Sequence, residues 1–291
     1  MNNKVKGYLL GAVAAASYGT NPLFALPLYA EGFSPDSVLF FRYLFALPIL
    51  AFMLKWRGHS FRISRADLVP LVILGLIFAL SSLSLFQSYN YMDAGIASTI
   101  LFVYPIMVAV IMAMFFHEKL TIQTMLCLLM AIGGIGLLYQ NEDGATLSFV
   151  GTMIVFLSSL SYAIYIVAIN KTRLHDMVTL KVTFYVVLFG WFLFAGSTLI
   201  SGELQVPQSN DWWLWGNLIA LAVMPTAISL LCTTGAIQYI GSTPTAILGA
   251  LEPVTAVFFG VTVFGEQLTM RSTIGLILII VAVTIVVAGG G

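Results

Sequence analysis

One acidic side chain lies inside an apolar run near the C-terminal end of the chain. Glu252 belongs to the segment ILGALEPVTAVFFGVTVFGEQLT, residues 247–269. A carboxylate in such surroundings can bind an amino group, exchange a proton, or pair with a basic residue to stabilise the structure. Arg42 lies in a comparable apolar run, so an ion pair between Glu252 and Arg42 is one of three interpretations that stay open.

Hydroxyl, amide and aromatic side chains recur at helical spacing in other apolar runs. Tyr18 and Asn21 are three residues apart, as are Tyr162 and Tyr165, so each pair lies on one face of a helix. Such faces either line a cavity or form hydrogen bonds with neighbouring helices. An amide has several hydrogen-bonding groups to satisfy, which makes Gln87 a further candidate. The predicted substrate-binding residues are Glu252, Tyr18, Asn21, Gln87, Tyr104, Tyr162, Tyr165 and Thr233.

Prolines interrupt the same runs. Pro105 and Pro253 are 148 residues apart, and each removes a backbone donor and frees a carbonyl group. They are either hinges or fixed bends. We predict structural or coupling roles for Arg42, Pro105 and Pro253.

The residue sets of several other chemistries are missing from the apolar runs. His59, His117 and His175 fall in the short connections, and the sequence has neither a G-x-S-x-G motif nor a nucleotide-binding P-loop. We therefore predict no enzyme activity, no metal site and no cofactor. Away from the ends of the runs, Arg42 is the only basic residue within them, which argues against phosphorylated substrates. The zero net charge gives no sign of nucleic-acid binding.

The elements that position these residues are predicted to be transmembrane helices. The chain is 60% apolar and only 8% charged, whereas an ordinary soluble domain is about a quarter charged. Its apolar runs have the roughly 20-residue length that crosses a bilayer as a helix. The ten predicted spans are 7–30, 36–54, 68–90, 95–115, 121–139, 147–169, 177–200, 212–237, 243–264 and 271–288. The fold class is an all-α membrane protein.

The depth of Glu252 follows from the predicted start of its helix. Thr243 and Pro244 resemble an N-cap followed by a proline in the first turn. Nine residues further on, at about 1.5 Å per residue, Glu252 lies near the bilayer midplane. An acidic side chain facing lipid there costs about 2.5–3.5 kcal/mol. Glu252 is therefore expected to face protein or water.

Positive charge predicts the orientation in the membrane. With the N-terminus inside, Arg271 is the only basic residue on the outer side. The inner side holds Lys4, Lys6, Lys55, Arg57, Arg62, Arg65, Lys119, Lys171, Arg173 and Lys181. This asymmetry predicts a multi-pass protein of the plasma (inner) membrane with both termini in the cytoplasm.

An internal repeat organises the chain. A shift of 148 residues aligns Tyr91 with Tyr239 and Pro105 with Pro253, and a shift of 144 aligns Tyr18 with Tyr162. The predicted domains are an N-terminal five-helix repeat, 1–143, and a C-terminal repeat, 144–291. Because five is an odd number, the second repeat is expected to be inverted. Inverted repeats are a structural basis for alternating access.

Three motifs in this framework resemble the EamA-type branch of the drug/metabolite transporter superfamily. They are FFRYLFALPIL at Phe40, YPIMVAVIMAMFFHEKLT, and LEPVTAVFFGVTVFGEQLT. The resemblance covers nearly the whole chain and implies ten helices around a central cavity, with export or exchange of small metabolites, often amino acids. The chain departs from the repeat where Val186 occupies the position that matches Arg42.

The function expected from these observations is secondary transport of small polar or zwitterionic metabolites. Amino-acid efflux or exchange by alternating access is the leading interpretation, and efflux of cationic or aromatic drug-like compounds is the alternative. A membrane sensor or an intramembrane enzyme is a more distant alternative. The expected partners are a small-molecule substrate and the lipid bilayer. Coupling to protons or to a counter-substrate, and the oligomeric state, stay open.

Overall fold

The computed structural model describes residues 2–92, 97, 100–118, 121–138, 148–202, 204–208, 210–263 and 270–289. Within these ranges the regular structure is helical throughout, with no β-strand. The helices are α1 (Asn3–Tyr18), α2 (Asn21–Ala30), α3 (Pro35–Trp56), α4 (Arg65–Ser88), α5 (Tyr104–Phe116), α6 (Ile122–Leu138), α7 (Phe149–Lys171), α8 (Thr179–Ser201), α9 (Trp212–Ala222), α10 (Ser229–Ile240), α11 (Ser242–Leu248), α12 (Leu251–Val263) and α13 (Met270–Gly289). A π-helical segment, Val223–Ile228, joins α9 to α10.

Six helical segments are long and apolar enough to cross a membrane. They are Asn3–Ala30, Pro35–Trp56, Arg65–Ser88, Phe149–Lys171, Thr179–Ser201 and Trp212–Ile240. Shorter apolar helices cover Tyr104–Phe116, Met125–Gly134 and Thr273–Ala282. The protein is therefore a multi-helix integral membrane protein. The number of ten spans stays a prediction, and part of the predicted span 95–115 lies outside the described residues.

Serine residues in the connections set the starts of three long helices. The side chains of Ser34, Ser64 and Ser148 each accept a hydrogen bond from a backbone N–H in the first turn of the helix that follows. These N–H groups have no partner within the helix, so the serine oxygen satisfies them. Helix starts are in this way determined locally, by residues that the sequence shows.

Four predicted spans are not continuous α-helices. The span predicted at 95–115 has turn residues at 102–103, just before α5 and Pro105. The span predicted at 7–30 breaks between α1 and α2, just before Pro22, and the span at 212–237 contains the π-helical segment around Pro225. The span at 243–264 breaks between α11 and α12, just before Pro253. Each proline lacks the N–H that would continue the α-helical hydrogen-bond series. The predicted N-cap was also wrong: Gly241 precedes α11, and the Thr243 hydroxyl is buried without a partner.

Helices of the two sequence repeats pack in reciprocal pairs. Helix α1 packs against α10, and α4 packs against α7 in the same way, so the first helix of each repeat contacts the third helix of the other. The second helices, α3 and α8, contact each other, as do the last helices, α6 and α13. This is the packing expected of two copies related by a twofold axis. The predicted domain boundary at 143/144 lies outside the described residues.

The two ends of the bundle differ in charge. At one end Lys6 donates to the Tyr239 hydroxyl at 2.9 Å and Arg173 pairs with Asp67 at 3.7 Å. At the other end Asp36 accepts a hydrogen bond from Ser197 at 2.6 Å. The basic end is the one that the sequence predicts to face the cytoplasm, and this orientation stays a prediction.

Candidate functional site

Glu252 borders a small internal cavity between the two repeats. Its volume is about 10 Å³, which leaves room for about one water molecule. The lining residues are Gly11, Ala14, Ala15, Tyr104, Tyr162, Ile166, Thr233, Thr245, Gly249 and Glu252. A larger ligand can enter only if the surrounding helices separate.

The break between α11 and α12 places Glu252 at this cavity. Pro253 has no N–H to donate to the Gly249 carbonyl, and the backbone N–H of Glu252 donates to that carbonyl instead, at 2.9 Å. A Cβ atom at Gly249 would lie 1.6 Å from the Tyr104 hydroxyl oxygen, so the close approach of Tyr104 requires glycine. Glu252 therefore lies in the first turn of a new helix rather than deep within a continuous one.

Tyr104 is the counterpart of Glu252 in the first repeat. The two residues are 148 positions apart, and each directly precedes one of the aligned prolines, Pro105 and Pro253. Tyr104 begins α5, and its hydroxyl donates to the Ala246 carbonyl of α11 at 3.2 Å. The interrupted helices of both repeats thus meet at one cavity.

Buried tyrosines surround the carboxyl group. Tyr162 stacks on Tyr18 and on Tyr165, with ring centroids 6.2 Å apart in each case, and meets Tyr104 edge-on at 4.8 Å. Glu252 lies close enough to interact electrostatically with Tyr18, Tyr104 and Tyr162. The result is a half-buried acidic group faced by aromatic rings and hydroxyl groups.

Arg42 lies in a separate, fully buried position on α3. Its guanidinium donates to the Thr226 hydroxyl, to the Asn21 side-chain oxygen at 3.0 Å and to the Pro225 carbonyl at 3.1 Å. No ion pair joins Arg42 to Glu252; over the described ranges the one ion pair is Arg173 with Asp67. The interpretation of Glu252 and Arg42 as a direct structural pair is therefore wrong for this conformation.

The model of the EamA-like transporter family matches the chain twice, over residues 5–140 and 149–288. The chain belongs to the EamA-like transporter family. Both matches include a proline-interrupted helix that borders the cavity, Tyr104–Phe116 in the first and Leu251–Val263 in the second.

Individual relatives agree with this assignment. An uncharacterized transporter from Archaeoglobus fulgidus is 29% identical over 86% of this chain and 85% of its own length. The uncharacterized transporter YcbK from Bacillus subtilis is 25% identical over 92% of this chain and 87% of its own. A crystal structure that is 17% identical superposes with a TM-score of 0.79 over 96% of this chain and 95% of its own, which shows a shared fold.

The structure brings together most, but not all, of the residues that the sequence singled out in this EamA-like transporter. Glu252, Tyr104, Tyr162 and Thr233 line the cavity. Tyr18 and Tyr165 stack directly behind them, on either side of Tyr162. These residues come from both repeats.

Two predicted binding residues lie elsewhere. Asn21 contacts Arg42 and does not line the cavity. Gln87 donates to Asp36 at 3.1 Å, near one end of the bundle. An amide in an apolar run needs a partner, but the spacing of the sequence does not say whether that partner is a ligand or another side chain.

The sequence-based prediction did not include the small residues that form one wall of the cavity. Gly11, Ala14 and Ala15 all lie on α1, where a Cβ atom at Gly11 would come within 2.4 Å of Leu248. Small residues that allow two helices to approach closely are a known sequence signal in membranes. The run of glycine and alanine in α1 could therefore have identified this wall.

Proposed function

We propose that this transporter moves small zwitterionic metabolites, with amino acids as the leading class, and that Glu252 binds the amino group of the substrate. The observation behind this proposal is a half-buried carboxyl group that borders a cavity, surrounded by tyrosines and without a basic partner among the described residues. A charged group in such surroundings is costly unless it is compensated. The positive group of a substrate provides that compensation.

The proposed mechanism is alternating access in a ten-helix bundle built from two inverted repeats. The cavity lies between interrupted helices that occupy equivalent positions in the two repeats. Exchange of conformation between the repeats would open the cavity first to one side and then to the other. We propose export across the plasma membrane, with both termini in the cytoplasm as the positive charges predict.

A second candidate is efflux of cationic aromatic compounds that have no carboxylate. The tyrosine cluster favours it, because aromatic faces attract cations. The two candidates differ in one chemical group. An amino acid and the amine obtained by removing its carboxylate therefore distinguish them.

The test is counterflow of radiolabelled amino acids and amines into liposomes that contain the purified full-length protein. We expect saturable uptake that is lost in Glu252→Gln and kept in Glu31→Gln, which makes the same chemical change at an exposed residue. Thermal unfolding of both variants checks that they are folded. Undiminished uptake by folded Glu252→Gln would overturn the proposal. Imposed proton and counter-substrate gradients in the same liposomes identify the coupling.

A further inference from the structure

Arg42 is a buried cation without an anionic partner. Its side chain is 0% exposed, and its hydrogen-bond acceptors are the neutral oxygens of Thr226, Asn21 and Pro225. The Phe86 ring lies 5.3 Å from the guanidinium carbon. No carboxylate oxygen of the described residues lies within 4.0 Å of it. Neutral hydrogen bonds and a ring offset only part of the cost of burying an ion.

Unused hydrogen-bond donors lie beside Arg42. The Asn21 side-chain nitrogen is buried without a partner, on the same amide whose oxygen accepts from Arg42. The Tyr29 hydroxyl is also buried without a partner and lies within electrostatic range of Arg42. A guanidinium, an amide N–H and a hydroxyl are donors that a carboxylate, which only accepts, can satisfy together.

The other repeat shows that the bundle does not need a basic residue at this position. The counterparts of Arg42, Asn21 and Thr226 are Val186, Tyr165 and Phe78. There the Tyr165 and Phe78 rings pack with centroids 5.0 Å apart, and Val186 is fully buried. Equivalent positions are thus filled by apolar packing in one repeat and by a polar cluster in the other.

The backbone next to Arg42 also differs from that of the equivalent segment in the first repeat. The Pro225 carbonyl that binds Arg42 belongs to the π-helical segment Val223–Ile228, whereas the equivalent residues 75–80 are regular α-helix within α4. Single π-helical turns inside α-helices are frequent at functional sites. This turn supplies both the carbonyl and the hydroxyl group that hold the guanidinium.

Tyr18 connects this cluster with the cavity. Its hydroxyl interacts with the Arg42 guanidinium and lies within electrostatic range of the Glu252 carboxyl group. A positive and a negative group therefore both lie within electrostatic range of one tyrosine hydroxyl. An α-amino acid has the complementary pair of charges, an ammonium and a carboxylate bonded to the same carbon atom.

We propose that Arg42 and the Asn21 amide bind the carboxylate of the transported zwitterion, while Glu252 binds its amino group. The proposal rests on the function proposed above for Glu252 and adds the second charged contact, so that the substrate class is α-amino acids rather than amines. Tyr18 is close enough to interact with both charged groups in this conformation.

The test compares ligands that differ by one charged group. The probes are leucine, isopentylamine and 4-methylpentanoate, together with phenylalanine, phenethylamine and 3-phenylpropionate. Their affinities for the purified full-length protein are measured from the concentration dependence of thermal stabilisation. For at least one amino acid we expect binding at least about tenfold tighter than that of its amine, a difference of about 1.4 kcal/mol.

Asn21→Asp is the decisive variant, because it adds a partner for Arg42 instead of removing one and so is expected to fold. Its internal carboxylate occupies the proposed contact. We expect binding of the amino acid to weaken by about tenfold or more, while binding of the amine changes by less than about twofold. Arg42→Gln is expected to do the same if it folds. Val186→Ala, the change at the matched position of the other repeat, is expected to leave the ratio of the two affinities unchanged.

The outcomes separate the two proposals. Equal effects of Asn21→Asp on amino acid and amine, or no effect on either, would overturn the role of Arg42. If wild-type protein binds amine and amino acid equally and Glu252→Gln weakens both, the role of Glu252 stands and that of Arg42 falls. If Glu252→Gln weakens neither, or if wild-type protein binds none of the probes, both proposals fail.

Discussion

The two proline-interrupted helices at the cavity have the same backbone device but different surroundings. In the first repeat, Pro105 frees the Leu101 carbonyl, and the Ser159 hydroxyl lies 3.0 Å from it. In the second repeat, Pro253 cannot donate to the Gly249 carbonyl, which accepts from the Glu252 backbone N–H at 2.9 Å instead. The counterpart of Ser159 is Ala15, which has no hydroxyl and lines the cavity. At the first break, a serine of a neighbouring helix donates to the carbonyl that the proline leaves free. The second break has no such serine at the matched position and borders the cavity.

The same difference extends to the residue before each proline. Tyr104 directs a neutral hydroxyl to the Ala246 carbonyl, while Glu252 places an ionisable group at the cavity. Duplication therefore accounts for the equivalent helix breaks in the two repeats. The differences at a few positions, such as Tyr104 and Glu252, account for the different side-chain groups at the cavity. Four predictions test this comparison.

The largest effect is expected at Glu252, and the matched change is at Tyr104, since each residue precedes one of the aligned prolines. Glu252→Gln should reduce saturable uptake by about 100-fold or more, because it removes the charge proposed to bind the substrate; this corresponds to about 2.7 kcal/mol. Tyr104→Phe should reduce uptake by less than about fivefold, since the ring stays and only one hydrogen bond is lost. Counterflow at matched protein content measures both. Equal losses in the two variants would mean that the repeats contribute equally, against the comparison.

Gly249→Ala should lower the free energy of unfolding by about 1–3 kcal/mol, because the added Cβ overlaps the Tyr104 hydroxyl. Thermal unfolding in detergent measures the loss. Combining it with Tyr104→Phe removes the overlapping oxygen, so the double variant should be more stable than the sum of the single effects predicts. Strict additivity would show that the two side chains do not contact each other in the membrane protein as purified.

Ser159→Ala should destabilise the protein by about 0.6–1.7 kcal/mol, the range measured for single hydrogen bonds between membrane helices. The reason is that the Leu101 carbonyl loses its side-chain donor. Unfolding of Ser88→Ala provides the reference, because Ser88 is buried and its hydroxyl donates within its own helix, to the Leu85 carbonyl at 2.6 Å. If Ser159→Ala is as stable as wild type, the Ser159 hydroxyl does not stabilise the first helix break.

Ala15→Ser should have the smallest effect on stability, below about 0.6 kcal/mol in either direction. It places a hydroxyl where the first repeat has Ser159, so the second break comes to resemble the first. Because the cavity volume is only about 10 Å³, uptake should fall although stability does not. Unchanged uptake would show that this wall moves away from the substrate during transport.

Much of the fold was predictable from the sequence because its signals are local. Apolar runs of membrane-spanning length, serine caps such as Ser34, and the repeated prolines can all be read within a few residues. The convergence of Glu252, Tyr18, Tyr104 and Tyr162 followed from the repeat, since equivalent helices meet at the axis. The position of Gln87 could not be predicted in this way, because its partner Asp36 is 51 residues away in the chain.

The amino-acid sequence is enough to predict the apolar helices, their duplication, and one acidic and one basic residue in the interior of the apolar runs. It does not show that Glu252 and Arg42 do not pair, or that neutral oxygens of a π-helical turn hold Arg42. Nor does it show that a neighbouring helix donates to the carbonyl at one proline break while the other break borders a cavity; the packing of distant helices settles these points. The physical reason is distance. Hydrophobicity and proline act on neighbouring residues, whereas an ion pair or a freed carbonyl depends on which side chain of a distant helix lies within about 3–4 Å.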